Sequence, residues 1–259
     1  MKLRSAGVTL AEVIIASAIT ILVVLLTLAI SVAVSNFTQS ALLSRIIDSQ
    51  VTAGGDAITK ELRDGIAVLP SAVIRGKSFV TSSTCVVFSA TGYDFSQSNP
   101  ILGSTDTVAF AFASDRSHVT RTCMSGAGSK RPISFETKVA SVTSAQFTYR
   151  VSEVIEWMNP SGTTVSETFR LATVPAEKPV CTRNGTSIPC TWQVATQTLS
   201  VQVPSGPSVI GIQYRVTPSP SSCPHITTVE LQSKRSTPNV RSSTANTEHI
   251  TEARLRNKR

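Results

Sequence analysis

The chain has 259 residues and a formal net charge of +8, with 41% hydrophobic and 15% charged residues. That apolar fraction excludes a wholly disordered chain, and five cysteines in such a length exclude a small disulfide-framework scaffold. One domain of ordinary size plus a separate apolar segment fits the length.

The first predicted element is an apolar helix. Lys2 and Arg4 precede a stretch from Val8 to Val34 in which every residue is apolar or small except Thr, Ser and Glu12. A helix over residues 8–34 runs about 40 Å, more than the roughly 30 Å hydrocarbon core of a bilayer. It therefore reads as a single membrane span, with the basic flank holding the N-terminus in the cytoplasm. An ionisable group inside such a span is costly and by default marks function. A cleaved secretory signal fits poorly, because Ala16-Ser17-Ala18 has the A-x-A form but precedes most of the apolar run. A plain anchor explains the length and the flank but not Glu12, whose carboxylate would then only reach lipid headgroups.

The helix is expected to continue as an amphipathic segment over residues 35–68. Leu43, Ile47, Val51, Ile58, Leu62 and Ile66 recur at mostly three- to four-residue intervals, with polar residues on the other faces. Gly54-Gly55 interrupts the pattern and predicts a bend or local loosening, since each glycine costs about 1 kcal/mol relative to alanine. Pro70 predicts the end of the helix.

Residues 69–259 read as a β-rich globular domain. Runs at 84–90, 106–113, 118–124, 133–138, 145–155, 165–174, 191–203, 209–217 and 226–233 are rich in Val, Ile, Thr and Phe. Turn signals such as Ser114-Asp115-Arg116-Ser117 and Asn159-Pro160-Ser161-Gly162 separate them. The fold class expected is α+β: a long N-terminal hydrophobic helix packed on a C-terminal, largely antiparallel sheet domain.

All five cysteines follow the helix, on the side where disulfides persist if the orientation is as read. Cys181 and Cys190 bracket a turn-rich loop around Asn184-Gly185 and are a candidate bridge. Cys85 and Cys123 are the natural second pair, leaving Cys223 odd, although sequence does not settle connectivity. No C-x-x-C occurs and His118, His225 and His249 lack ligand spacing, so no metal site is expected. No nucleophile elbow, phosphate-cradling glycine loop or credible carboxylate pair appears either, and Glu153 and Glu156 read as solvated charges. An enzyme is not expected, nor a cofactor.

From Lys234 to Arg259 seven basic side chains face only Glu248 and Glu252, so the positive excess is concentrated at the C-terminus. A solvated, partly disordered basic tail is the expectation for 234–259. Nucleic acid such as DNA, anionic lipid or an acidic partner is its candidate contact, although the aromatic platforms of single-strand binders are absent.

A short basic leader ending in Gly7, then Val8-Thr9-Leu10-Ala11 and Glu12, resembles the N-terminus of the type IV filament class: pilins, minor pilins and type II secretion pseudopilins. Val8 stands where that family most often has Phe, Ala11 replaces a usual Ile or Val, and Ala29 sits where many major pilins carry Pro. The segment 57–64, the run 139–149 and the closing 253–257 are similar to larger minor pilins of the PilW kind and to the J-type pseudopilin.

The resemblance implies cleavage between Gly7 and Val8 by a prepilin peptidase, with methylation of the new Val8 amine. It implies that Glu12 meets the Val8 amine of a neighbouring subunit during assembly. It also implies other pilins or pseudopilins as partners, an inner-membrane assembly platform, and a path from the cytoplasmic membrane into a filament. Removing the leader leaves 22 basic against 16 acidic side chains, a balance of +6.

Overall fold

A computed structural model describes residues 9–94, 101–124, 136–238 and 244–255. Among these residues one α-helix, α1 (Leu10–Arg63), is followed by sixteen strands and a single 3-10 turn at Cys223–His225. In chain order these begin with β1 (Gly65–Leu69), β2 (Ser71–Ile74), β3 (Lys77–Val80), β4 (Cys85–Asp94) and β5 (Ile101–Phe112). Next come β6 (His118–Cys123), β7 (Glu136–Ser141), β8 (Ser144–Asn159) and β9 (Val165–Arg170). The short strands β10 (Val180–Arg183), β11 (Thr186–Ile188) and β12 (Cys190–Gln193) follow. The last described strands are β13 (Thr198–Val203), β14 (Gly206–Val216), β15 (Thr228–Pro238) and β16 (Thr244–Arg254).

The strands form a five-stranded sheet ordered β1-β4-β5-β6-β7 and a six-stranded sheet ordered β11-β10-β14-β8-β15-β16. A three-stranded sheet, β12-β13-β9, and the hairpin β2-β3 complete the domain. Every strand pair among the described residues is antiparallel. Alternation drives the pattern: along β8, Ala145, Phe147, Tyr149 and Val151 are buried while Ser144 and Gln146 are exposed. Phe88 stacks on Phe110 inside the core at 5.8 Å, and Trp157 meets Phe169 edge-on at 5.7 Å, joining the six- and three-stranded sheets.

Only the upper third of α1 enters this core. Ile47, Val51, Ile58 and Leu62 are buried as their spacing predicts. The helix lies between the edges of the two large sheets, against β7 on one side and the β15–β16 hairpin on the other. At Gly54-Gly55 the helix runs through without a break. Both glycines are instead contact points. A Cβ on Gly54 would lie 2.5 Å from Ala140 Cβ, and one on Gly55 2.9 Å from His249 Cδ2. Their missing side chains let one helix close on two strands.

Higher on α1, the Glu61 carboxylate accepts from Arg121 Nε at 2.9 and 2.7 Å and from Nη2 at 2.5 Å, tying the helix to β6. These hydrogen bonds push the Arg121 pKa further up despite burial.

Three expectations are corrected. The helix ends at Arg63, capped by Asp64, and not at Pro70; Ile66 lies in β1. The run 191–203 is two strands, β12 and β13, joined by a turn. The basic C-terminus is not a solvated tail throughout: β15 extends to Pro238 and β16 returns along it for eleven register pairs. Ala253 and Leu255 are each 1% exposed. Lys234 pairs with Glu248 at 3.3 Å and Arg235 donates to Gln50 of α1. Arg241, Arg256, Lys258 and Arg259 lie outside the described residues.

Candidate functional site

Below the domain, every residue from Leu10 to Ile46 except Ser40 is exposed. The stretch runs about 55 Å at the usual helical rise. Among the described residues α1 is the one helix long and apolar enough to cross a membrane. Four of its hydroxyl groups bond back to the helix's own carbonyls. Ser17 donates to Ile14 O at 2.8 Å, Thr20 to Ala16 O at 2.7 Å, Thr27 to Val23 O at 2.8 Å and Thr38 to Val34 O at 2.9 Å. Such back-bonding keeps polar atoms away from an apolar surrounding. Glu12 is left as the one charged side chain between Leu10 and Val34.

Glu12 has a local partner that the sequence reading did not assign. Thr9 is the N-cap: its side chain accepts from Glu12 N at 3.3 Å. The Glu12 Oε2 in turn accepts from Thr9 N at 2.8 Å and from Thr9 Oγ1 at 3.0 Å. This reciprocal arrangement is a capping box, and the T-x-x-E spacing ahead of an apolar run is its sequence signature. The signal was therefore in the chain. Gly7 and Val8, the expected cleavage position and new N-terminus, lie outside the described residues.

Comparison with known proteins returns nothing: no family model, no curated protein and no solved structure matches this chain.

The cysteines divide as follows. Cys181 and Cys190 are bonded, with Cα atoms 6.1 Å apart, so β10 of the six-stranded sheet is stapled to β12 of the small sheet. Closing so short a loop contributes about 2–3 kcal/mol in the chain-entropy view. The Cys85–Cys123 pairing is not formed, and all three remaining cysteines are buried thiols. Cys85 on β4 and Cys123 on β6 have β5 between them. Two strand spacings come to about 9.5 Å, beyond disulfide reach. They also face opposite ways, since Cys85 packs with Ile74, Val87 and Ala109 under the β2–β3 hairpin and Cys123 joins the main core. Burial raises the Cys85 thiol to about 11 and also raises that of Cys223, so both are protonated at neutral pH.

Glu153 is not simply solvated. Its Oε1 accepts from Tyr214 Oη and from Ala172 N at 3.1 Å, pinning the segment after β9 to the six-stranded sheet. Burial, then this hydrogen bond, pushes the Tyr214 phenol up. Among the described residues no group of three His, Cys, Asp or Glu side chains is placed to hold a metal ion. The arrangement concentrates its unusual chemistry at one end: an uncovered apolar rod with a single carboxylate near its start.

Proposed function

We propose that this chain is an assembly subunit of a type IV pilus-like filament, a minor pilin, cut after Gly7 and built into the filament through α1. The carrying observation is the division of the helix: its upper third is tightly docked, while the 10–46 stretch has no cover from the domain. Apolar surface of that extent requires lipid first, as a single-pass membrane protein, and other helices afterwards. The large head favours a tip or initiating position, because bulky heads crowd along a helical shaft. Partners on this reading are a prepilin peptidase, other pilins and an inner-membrane assembly platform; the chain carries no catalytic role and needs no cofactor. A type II secretion pseudopilin is the rival within the class.

The capping box favours a second reading, a plain membrane anchor, since Glu12 then has a purely local task. Glu12→Gln separates the two, because glutamine serves the same capping role without the charge. On the filament reading the variant is cut and inserted normally but its incorporation into sheared filaments falls at least about tenfold. Unchanged incorporation beside a filament-forming wild type returns Glu12 to capping alone. DNA binding through the C-terminus remains a minor proposal. Because β15 and β16 are structural, it is tested by charge-neutralising Arg241, Arg256, Lys258 and Arg259 rather than by deletion; unchanged DNA retention removes it.

A further inference from the structure

Where α1 enters the domain, a groove of about 470 Å3 opens between the helix and the β6–β7 edge. Gln50 and Ala53 line one side, and Ser117, His118, Lys138 and Ser141 the other. Its polar chemistry is weighted towards donors. Gln50 Oε1 already accepts from Arg235 Nη1, so the amide has its N–H pair left to offer. Lys138 forms no salt bridge among the described residues. Asp115 does not line the groove but is bonded to Ser117, which does. Its carboxylate is held in its own turn by Ser117 Oγ at 2.7 Å and Ser117 N at 3.0 Å, with His118 Nδ1 at 3.7 Å. The Ser117 bonds, helped by His118 and Lys138 at longer range, keep it below the usual carboxylate range. The Asp115 side chain is 59% exposed, so it tempers the positive charge without filling the groove.

We propose that this groove accepts a carboxylate side chain from a neighbouring chain lying along α1, held by Lys138, the Gln50 amide and the Ser141 hydroxyl. The small apolar wall at Ala53 suits the methylene stem of an acidic residue. A lipid phosphate is disfavoured by height: Gln50 stands sixteen residues above Val34, about 24 Å further along the helix. The identity of the neighbour rests on the filament reading, whereas the site itself is a property of the single chain.

The test uses the full chain in detergent micelles at low salt, with tetraglutamate as probe and inorganic phosphate as comparison. Nuclear magnetic resonance is expected to show saturable shifts at the Ala53, Gly54 and His118 signals with tetraglutamate. Lys138→Ala is expected to weaken binding about fivefold, the scale of one partly exposed charge pair. Asp115→Asn, whose amide oxygen keeps one of the two Ser117 bonds, is expected to tighten it by removing the competing charge. Lys60→Ala, on the exposed helix surface, is expected to change nothing. No saturable shift, an equal response in Lys138→Ala, or binding of phosphate without tetraglutamate overturns the proposal. None of these outcomes touches processing or Glu12, so failure here and failure of the filament reading are told apart.

Discussion

Replacing Gly54 with alanine is expected to destabilise the domain by about 1–3 kcal/mol, the range for overpacking a fitted contact. At an exposed helix position the same change stabilises by about 1 kcal/mol, so here the sign reverses. The reversal follows from geometry. The new methyl would sit 2.5 Å from Ala140 Cβ and 2.9 Å from Ala140 Cα, and the second of these is backbone. Either β7 moves off its sheet or α1 lifts from both sheets. Thermal unfolding followed by circular dichroism should show a loss of about 2–12 °C for a domain of this size. The pair Gly54→Ala with Ala140→Gly should recover part of that loss, because the closer of the two contacts is removed. A variant as stable as wild type would mean that the glycine has no packing role.

The second large effect concerns the C-terminus. Truncation before Thr244 removes β16 and with it buried Ala253 and Leu255. It also uncovers Val229 and Leu231 of β15, each 1% exposed in the intact chain, and bares the Gly55 side of α1. Each buried Val or Leu side chain contributes about 1.5–3 kcal/mol, so the loss approaches the whole stability of a typical domain, about 5–15 kcal/mol. The truncated chain is expected to be degraded or to lose its cooperative melting transition. Substituting Lys234 and Arg235 by alanine, by contrast, should leave it folded. A truncated chain that melts like the intact one would show β16 to be dispensable.

These two cases also show what sequence makes visible. Alternation in the central strands, above all along β8, and the buried stripe Ile47, Val51, Ile58 and Leu62 follow directly from period-two and period-3.6 spacing. β16 was missed because its inward-facing residues Thr247, His249, Thr251 and Ala253, of which His249 and Thr251 lie against Gly55 of α1, are mostly small or polar. They must be so, since a helix with glycine at its contact point lies close against them. The same glycines read as a weakness in an isolated helix and become a fitted surface only once the strands are placed.

For the cysteines, a nine-residue separation across a turn made Cys181–Cys190 legible. The runs 84–90, 106–113 and 118–124 were legible as strands, and pairing them in sequence order places β5 between Cys85 and Cys123, a consequence the Cys85–Cys123 expectation left out. At the candidate site, Glu12 stood out by its charge in an apolar run, whereas its bond to Thr9 required reading the T-x-x-E spacing as a helix start.

The central claim is that the chain is processed to expose an amine beside the Glu12 carboxylate and then assembled through α1. Intact-mass and N-terminal sequencing of the protein recovered from its own membranes tests this most directly. The account predicts a chain beginning at Val8, carrying one added methyl group on its amine. A chain that still begins at Met1, or that begins well beyond Val8, contradicts it.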